Sequence, residues 1–171
     1  MISWQHIQND TSEVYLARKA TPGFEASSCL QWFYDSFYDR LFDVHPAARP
    51  LFKNSMIVQG KALVHMISAA LSLLDNLPNL VSALQNLAKT HSLKGVLAVQ
   101  YGIVGEVLLW TLTLCLGGQF DSATSLTWVK IYSVMLSVII PIAIEEEKNL
   151  IEAVRKAEVS GRRSGRIATS T

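Results

Sequence analysis

The side chains best equipped to bind a metal or move a proton in this 171-residue chain are four histidines and two cysteines. Cys29 and Cys115 follow no metal-ligand spacing and are too few for a disulfide framework, so they read as buried thiols in a reducing compartment. His6 falls in a polar N-terminal stretch and His45 in a proline-bounded corner. His91 differs from these. It ends a segment in which Leu80, Leu84, Leu87 and Ala88 recur at helical spacing, which places an imidazole at the edge of an apolar face. An imidazole there can ligate a metal, or simply hydrogen-bond or meet solvent, and the residue alone does not choose.

The elements that would position such a side chain are helices. Strict period-two alternation is absent, and apolar spacings of three and four recur along the chain. Residues 1–11 are polar and expected to be loose, and Ser12–Ala20 reads as a short helix broken at Thr21-Pro22-Gly23. Longer helices are expected over Phe24–Val44, Ile57–Leu74, Leu80–Ser92, Val99–Leu116 and Ala123–Ala157. His45-Pro46 to Arg49-Pro50 forms a corner, because each proline restricts itself and the residue before it. Gly117-Gly118 stops the fourth long segment, Asp121 or Ser122 can cap the next, and Pro141 would kink it. The basic tail, residues 159–171, is small and polar and is expected to be disordered.

Composition bounds the function. One domain, residues 12–158, fits the length. Half the residues are hydrophobic and 17% are charged, which supplies a sizeable core. A formal net charge of +1 makes no case for nucleic acid or an anionic surface. The start, Met1-Ile2-Ser3-Trp4, lacks the pattern of a secretion signal, and the expectation is a cytoplasmic protein. Val129–Ile144 is very apolar, but only ten residues separate Lys130 from Pro141, so a buried core helix is expected rather than a membrane span.

Several ordered motifs resemble the bacterial single-domain globins and the haemoglobin domain of flavohaemoglobins. They are Phe37-Tyr38-Asp39-Arg40-Leu41-Phe42, His45-Pro46, Arg49-Pro50-Leu51-Phe52, Leu87-Ala88-Lys89-Thr90-His91 with Gly95-Val96, and Tyr101-Gly102-Ile103-Val104-Gly105-Glu106. Trp128 and Tyr132 also fit, and the likeness runs over residues 24–146. The resemblance implies an all-α globin fold around haem b, with an extended last helix. It makes His91 the iron ligand, leaving the other axial side open to dioxygen, nitric oxide or carbon monoxide.

The resemblance also assigns the remaining site residues. Phe52 would pack on the haem plane, with Val96 and Val104 as further apolar contacts and Lys94 or Lys89 as partner of a propionate. Leu63 and Gln59, four residues apart, would share one helix face as the distal wall. Tyr38 and Gln59 would hydrogen-bond the bound gas. Tyr101, ten residues after His91, and Glu145, seventeen after Trp128, would join His91 in a proximal hydrogen-bonded group. Nitric oxide dioxygenation or weak peroxidase-like activity follows as an expectation, with an external reductase because flavin and nicotinamide domains are absent. The alternative is a non-enzymatic haem-based gas or redox sensor or interaction protein. Leu150, Ile151 and Val154 form a modest stripe that suggests a homodimer.

Overall fold

Helices follow one another without a strand among the described residues of this computed structural model, which are 1–167 for backbone and 1–158 for side chains. They are α1 (Ile2–Gln8), α2 (Glu13–Lys19), α3 (Cys29–Val44), α4 (Met56–Ser72), α5 (Leu77–Leu93), α6 (Ala98–Leu116) and α7 (Ser122–Ile167). Short 3-10 turns occupy Pro46–Leu51 and Gly117–Gln119. The starts are set by side-chain caps that satisfy free N–H groups. Ser12 accepts from Tyr15 N–H, Ser28 from Gln31 N–H, Ser55 from Val58 N–H and Asn76 from Asn79 N–H. Of the two candidates for the last helix, Asp121 is the cap, accepting from Thr124 N–H at 2.8 Å.

The structure corrects four expectations. Residues 1–11 are not loose: α1 buries Trp4 and Ile7, and the Trp4 indole donates to Ser68 Oγ at 2.9 Å. Two large apolar side chains in a polar stretch suffice to dock one short helix. The first long helix begins at Cys29 rather than Phe24, because Ser28 caps it and Ser27 bonds Gln31. Phe24 instead packs edge-on against Tyr15 and Trp32. The stretch expected as a buried core helix is one-sided: Trp128, Ile139 and Ala143 are buried while Val129, Val134 and Ile144 are exposed. Both α6 and α7 are long and apolar enough to cross a membrane by length and composition, and α6 is a packed core helix here. Finally, α7 continues as helix through Ile167, across most of the tail expected to be disordered; Ala168–Thr171 lie outside the described residues.

Packing divides the interior into two apolar clusters. The larger joins α1, α2, α3, α4, α6 and the start of α7. The smaller joins Leu80, Leu84 and Ala88 of α5 to Tyr101 of α6 and Ile139 and Ala143 of α7. Two glycines permit the closest crossings. A Cβ at Gly60 would fall 2.3 Å from the Tyr34 ring where α4 meets α3. One at Gly105 would fall 2.3 Å from the Tyr132 ring where α6 meets α7. At both places a hydrogen atom is the only side chain that fits.

Candidate functional site

A cavity opens at the seam between the two clusters, and His91 lines it. Its volume is about 130 Å³, or about 720 Å³ of atom-free space when the open mouth is counted. The enclosed 130 Å³ is smaller than the roughly 300–1,000 Å³ of small-molecule and cofactor sites, so a large flat guest fits only by widening the open mouth. Phe52, Val96, Tyr101 and Val104 line the same cavity. A second, wholly apolar chamber of about 60 Å³ adjoins it, sharing Met66, Val104, Tyr132 and Met135 and bounded by Leu63.

The geometry of His91 is specific. Its Nδ1 lies 2.9 Å from the Leu87 carbonyl oxygen, one helical turn earlier. A carbonyl only accepts, so Nδ1 carries the proton and the lone pair resides on Nε2. Burial holds the imidazole below its ordinary pKa, the Leu87 bond opposes that, and the positive charge of Lys94 adds to the lowering. The result is a neutral, orientated imidazole with one free nitrogen at a cavity wall, the form that binds a transition metal.

Tyr101 stands beside it, the two rings 6.1 Å apart. Its hydroxyl is buried without a hydrogen-bond partner, and the phenol is pushed up to about 12 by burial and then by the charge of Glu147. Leaving such a group unpaired costs about 1–3 kcal/mol. Together, a free imidazole nitrogen, an unpaired phenol and apolar walls fit a flat, largely apolar, metal-bearing guest such as haem.

Other expected residues are placed differently. Glu145 is exposed and pairs with Lys148 at 4.0 Å, outside the His91–Tyr101 group. The carboxylate near Tyr101 is that of Glu147, which accepts from Ala98 N–H at the start of α6. Two residues of helix turn the side chain by about 200°, which separates an outward glutamate from an inward one. Tyr38 is buried and packs on Phe52, with ring centroids 5.2 Å apart. Its hydroxyl donates to the Gln59 carbonyl at 3.1 Å, and neither residue lines either chamber. Lys94 is exposed at the end of α5. His65, six residues after Gln59 and so expected on the opposite side of α4, does face an outer groove between α3 and α4, and His6, not expected as a ligand, bonds Thr11 at 2.9 Å.

Sequence reasoning missed the pair His45 and Gln100, both lining the cavity. Gln100 Oε1 accepts from Leu97 N–H at 2.8 Å, which fixes the amide so that its Nε2 donates to His45 Nε2 at 2.9 Å. The only sequence signal was a glutamine three residues into α6, where it can fold back on the helix start.

A globin family model matches residues 35–139. The chain is 32% identical over 114 residues to neuroglobin of Danio rerio, covering 58% of this chain and 72% of that protein. It is 27% identical over 169 residues to a flavohemoprotein of Vibrio cholerae, covering 97% of this chain and 39% of that protein. Among solved structures it resembles a bacterial globin from Campylobacter jejuni (TM-score 0.57, 25% identity, 85% of this chain and 97% of that one). It also resembles an engineered carbene transferase from Rhodothermus marinus, described as a candidate nitric oxide dioxygenase (TM-score 0.60, 20% identity, 89% and 96%).

Proposed function

The chain belongs to the globin family, and from that premise we propose that it holds haem through His91 Nε2 and takes a small gas such as dioxygen on the opposite side. The observation that carries this reading is the Nδ1 bond from His91 to Leu87, because it leaves Nε2 as the free nitrogen of a cavity-lining imidazole. Haem, when bound, would supply an iron centre able to bind a diatomic gas.

The chain's own residues do the rest. Leu87 holds the imidazole plane, and burial keeps the ring unprotonated so that it can donate to metal. Phe52, Val96 and Val104 offer apolar surface to a porphyrin, and Lys94, exposed near the cavity edge, offers a cation to an acidic group. Tyr101 brings a buried hydroxyl to the His91 side. The adjoining chamber bounded by Leu63 offers a wholly apolar lining.

Nitric oxide dioxygenation, with electrons from a separate reductase, is the finer reading. It is supported by likeness to the Vibrio flavohemoprotein along nearly the whole chain and by Tyr38. Tyr38 reaches a ligand only by giving up its bond to the Gln59 carbonyl. That is a single neutral hydrogen bond, worth about 0.5–1.5 kcal/mol net.

Titration of the purified protein with haemin, followed by absorption spectra of the ferric, ferrous and carbonyl forms, tests the coarse reading. His91→Ala is expected to abolish the axial-histidine spectrum, and His45→Ala to retain it. Dependence on His45 instead would overturn the assignment. For the finer reading, the reduced protein under air is mixed with nitric oxide, and nitrate is expected in near-equal amount. Its absence would remove the dioxygenase activity while leaving gas binding standing.

A further inference from the structure

The last helix outruns the body it packs on. At 46 residues, α7 is about 70 Å long. Its inward stripe is Trp128, Tyr132, Met135, Ile139 and Ala143, which packs against α5 and α6. The same stripe continues at helical spacing to Leu150, Val154 and Ala157. There it has nothing to cover: from Lys148 to Glu158 every residue is exposed, with Leu150 at 60%, Ile151 at 67% and Val154 at 52%.

Charge along the C-terminal part of α7, from the last residues that touch the body onward, is segregated. Residues 145–152 carry four acids against one base, whereas residues 153–167 carry five bases against one acid. Within the acidic block Glu145 and Glu152 pair with Lys148 and Lys156 of the same helix at 4.0 Å and Glu147 accepts from Ala98 N–H, yet the block keeps three negative charges in excess, which the macrodipole, fading within the last turn, does not balance. Two copies laid antiparallel would account for both blocks, because each acidic half would face the other's basic half.

We propose that a second copy of this chain covers the overhang, forming a two-fold symmetric dimer through antiparallel pairing of the C-terminal part of α7. Val154 lies at the symmetry axis, its neighbours Ile151 and Ala157 oppose one another, and Glu152 opposes Lys156 of the partner. A contact of this kind is self-complementary, as closed dimers require. It also gives tertiary support to a helical segment that receives none from its own body, where isolated helices of such length are marginal.

Sedimentation of the full-length, haem-loaded protein over a concentration series tests this. Dimer of twice 18.9 kDa is expected in the micromolar range. Val154→Lys should weaken association at least tenfold with unchanged haem spectra. Glu152→Lys and Lys156→Glu should each weaken it by roughly three- to tenfold, since two exposed ion pairs become repulsive. An equimolar mixture of the two single variants should re-associate, as should the double variant alone. Pairing within one helix cannot produce recovery on mixing, so that result separates the dimer from a merely local role. A chain that stays monomeric at 100 μM, with or without capture by phosphatidylserine vesicles, would overturn the proposal. So would a dimer indifferent to Val154→Lys, or single variants that fail to recover when mixed.

Discussion

Gly105→Ala is the sharpest test of how α6 and α7 build the cavity. The added methyl would lie 2.3, 2.8 and 3.1 Å from three carbons of the Tyr132 ring. That ring cannot step aside freely, because its hydroxyl donates to the Tyr101 carbonyl at 2.6 Å and it lines both chambers. Forcing an extra carbon into a packed crossing costs about 1–3 kcal/mol. Losing the Tyr132 bond adds about 1 kcal/mol. Replacing a mid-helix glycine by alanine returns about 1 kcal/mol of helix propensity. The net expectation is a loss of about 1–3 kcal/mol, or roughly 2–12 °C in melting temperature for a chain of this size. Gly102, on the same helix, has nothing within 4 Å of its would-be Cβ. Gly102→Ala should therefore stabilise by up to about 1 kcal/mol. Urea denaturation followed by far-ultraviolet circular dichroism measures both variants, and Tyr132→Leu should relieve part of the Gly105→Ala defect. Equal stabilities for Gly102→Ala and Gly105→Ala would refute the close crossing and the account of the cavity wall built on it.

Two further outcomes follow from packing and burial. Trp4→Ala should cost about 3–5 kcal/mol, as removal of a buried aromatic does, and should make the first nine residues sensitive to limited proteolysis; near-wild-type stability would show that α1 is not docked. Cys29 and Cys115 are fully buried, and burial raises both thiols, Cys29 to about 12 with further help from Asp10. Below pH 9 the thiols are protonated whether folded or not. Above it the unfolded thiols ionise first, so stability should fall between about pH 9 and 12, by roughly 1.4 kcal/mol per pH unit for each thiol. Ellman's reagent at pH 8 should label neither cysteine in the native protein and both in guanidinium, and rapid native labelling would contradict their burial.

Helix count beyond the N-terminus and helix order were legible because each rests on local spacing, whereas His91 was singled out only by the resemblance to globins. The period of apolar residues marks a helix face, and a serine, asparagine or aspartate before it marks its start. The resemblance to globins supplied the roles of Phe52, Val96, Val104 and Leu63, and all four border the chambers. What escaped depended on distance in sequence or on one helical step. Trp4 finds Ser68 and Trp128 only once α4 and α7 are folded beside α1. Glu145 and Glu147 are equivalent in composition, and only the rotation of α7 decides which one meets α6. His45 and Gln100 are 55 residues apart, and no pattern in the sequence links them.

The amide of Gln100 has a mechanical effect on entry to the cavity. It ties the end of α3 to the connector between α5 and α6 through one hydrogen bond across the cavity's edge, worth about 0.5–1.5 kcal/mol. The helix α4, by contrast, leans mainly on α3. Met66 is the one residue that α4 gives to the cavity wall, so the link between His45 and Gln100 spans the cavity's edge without α4.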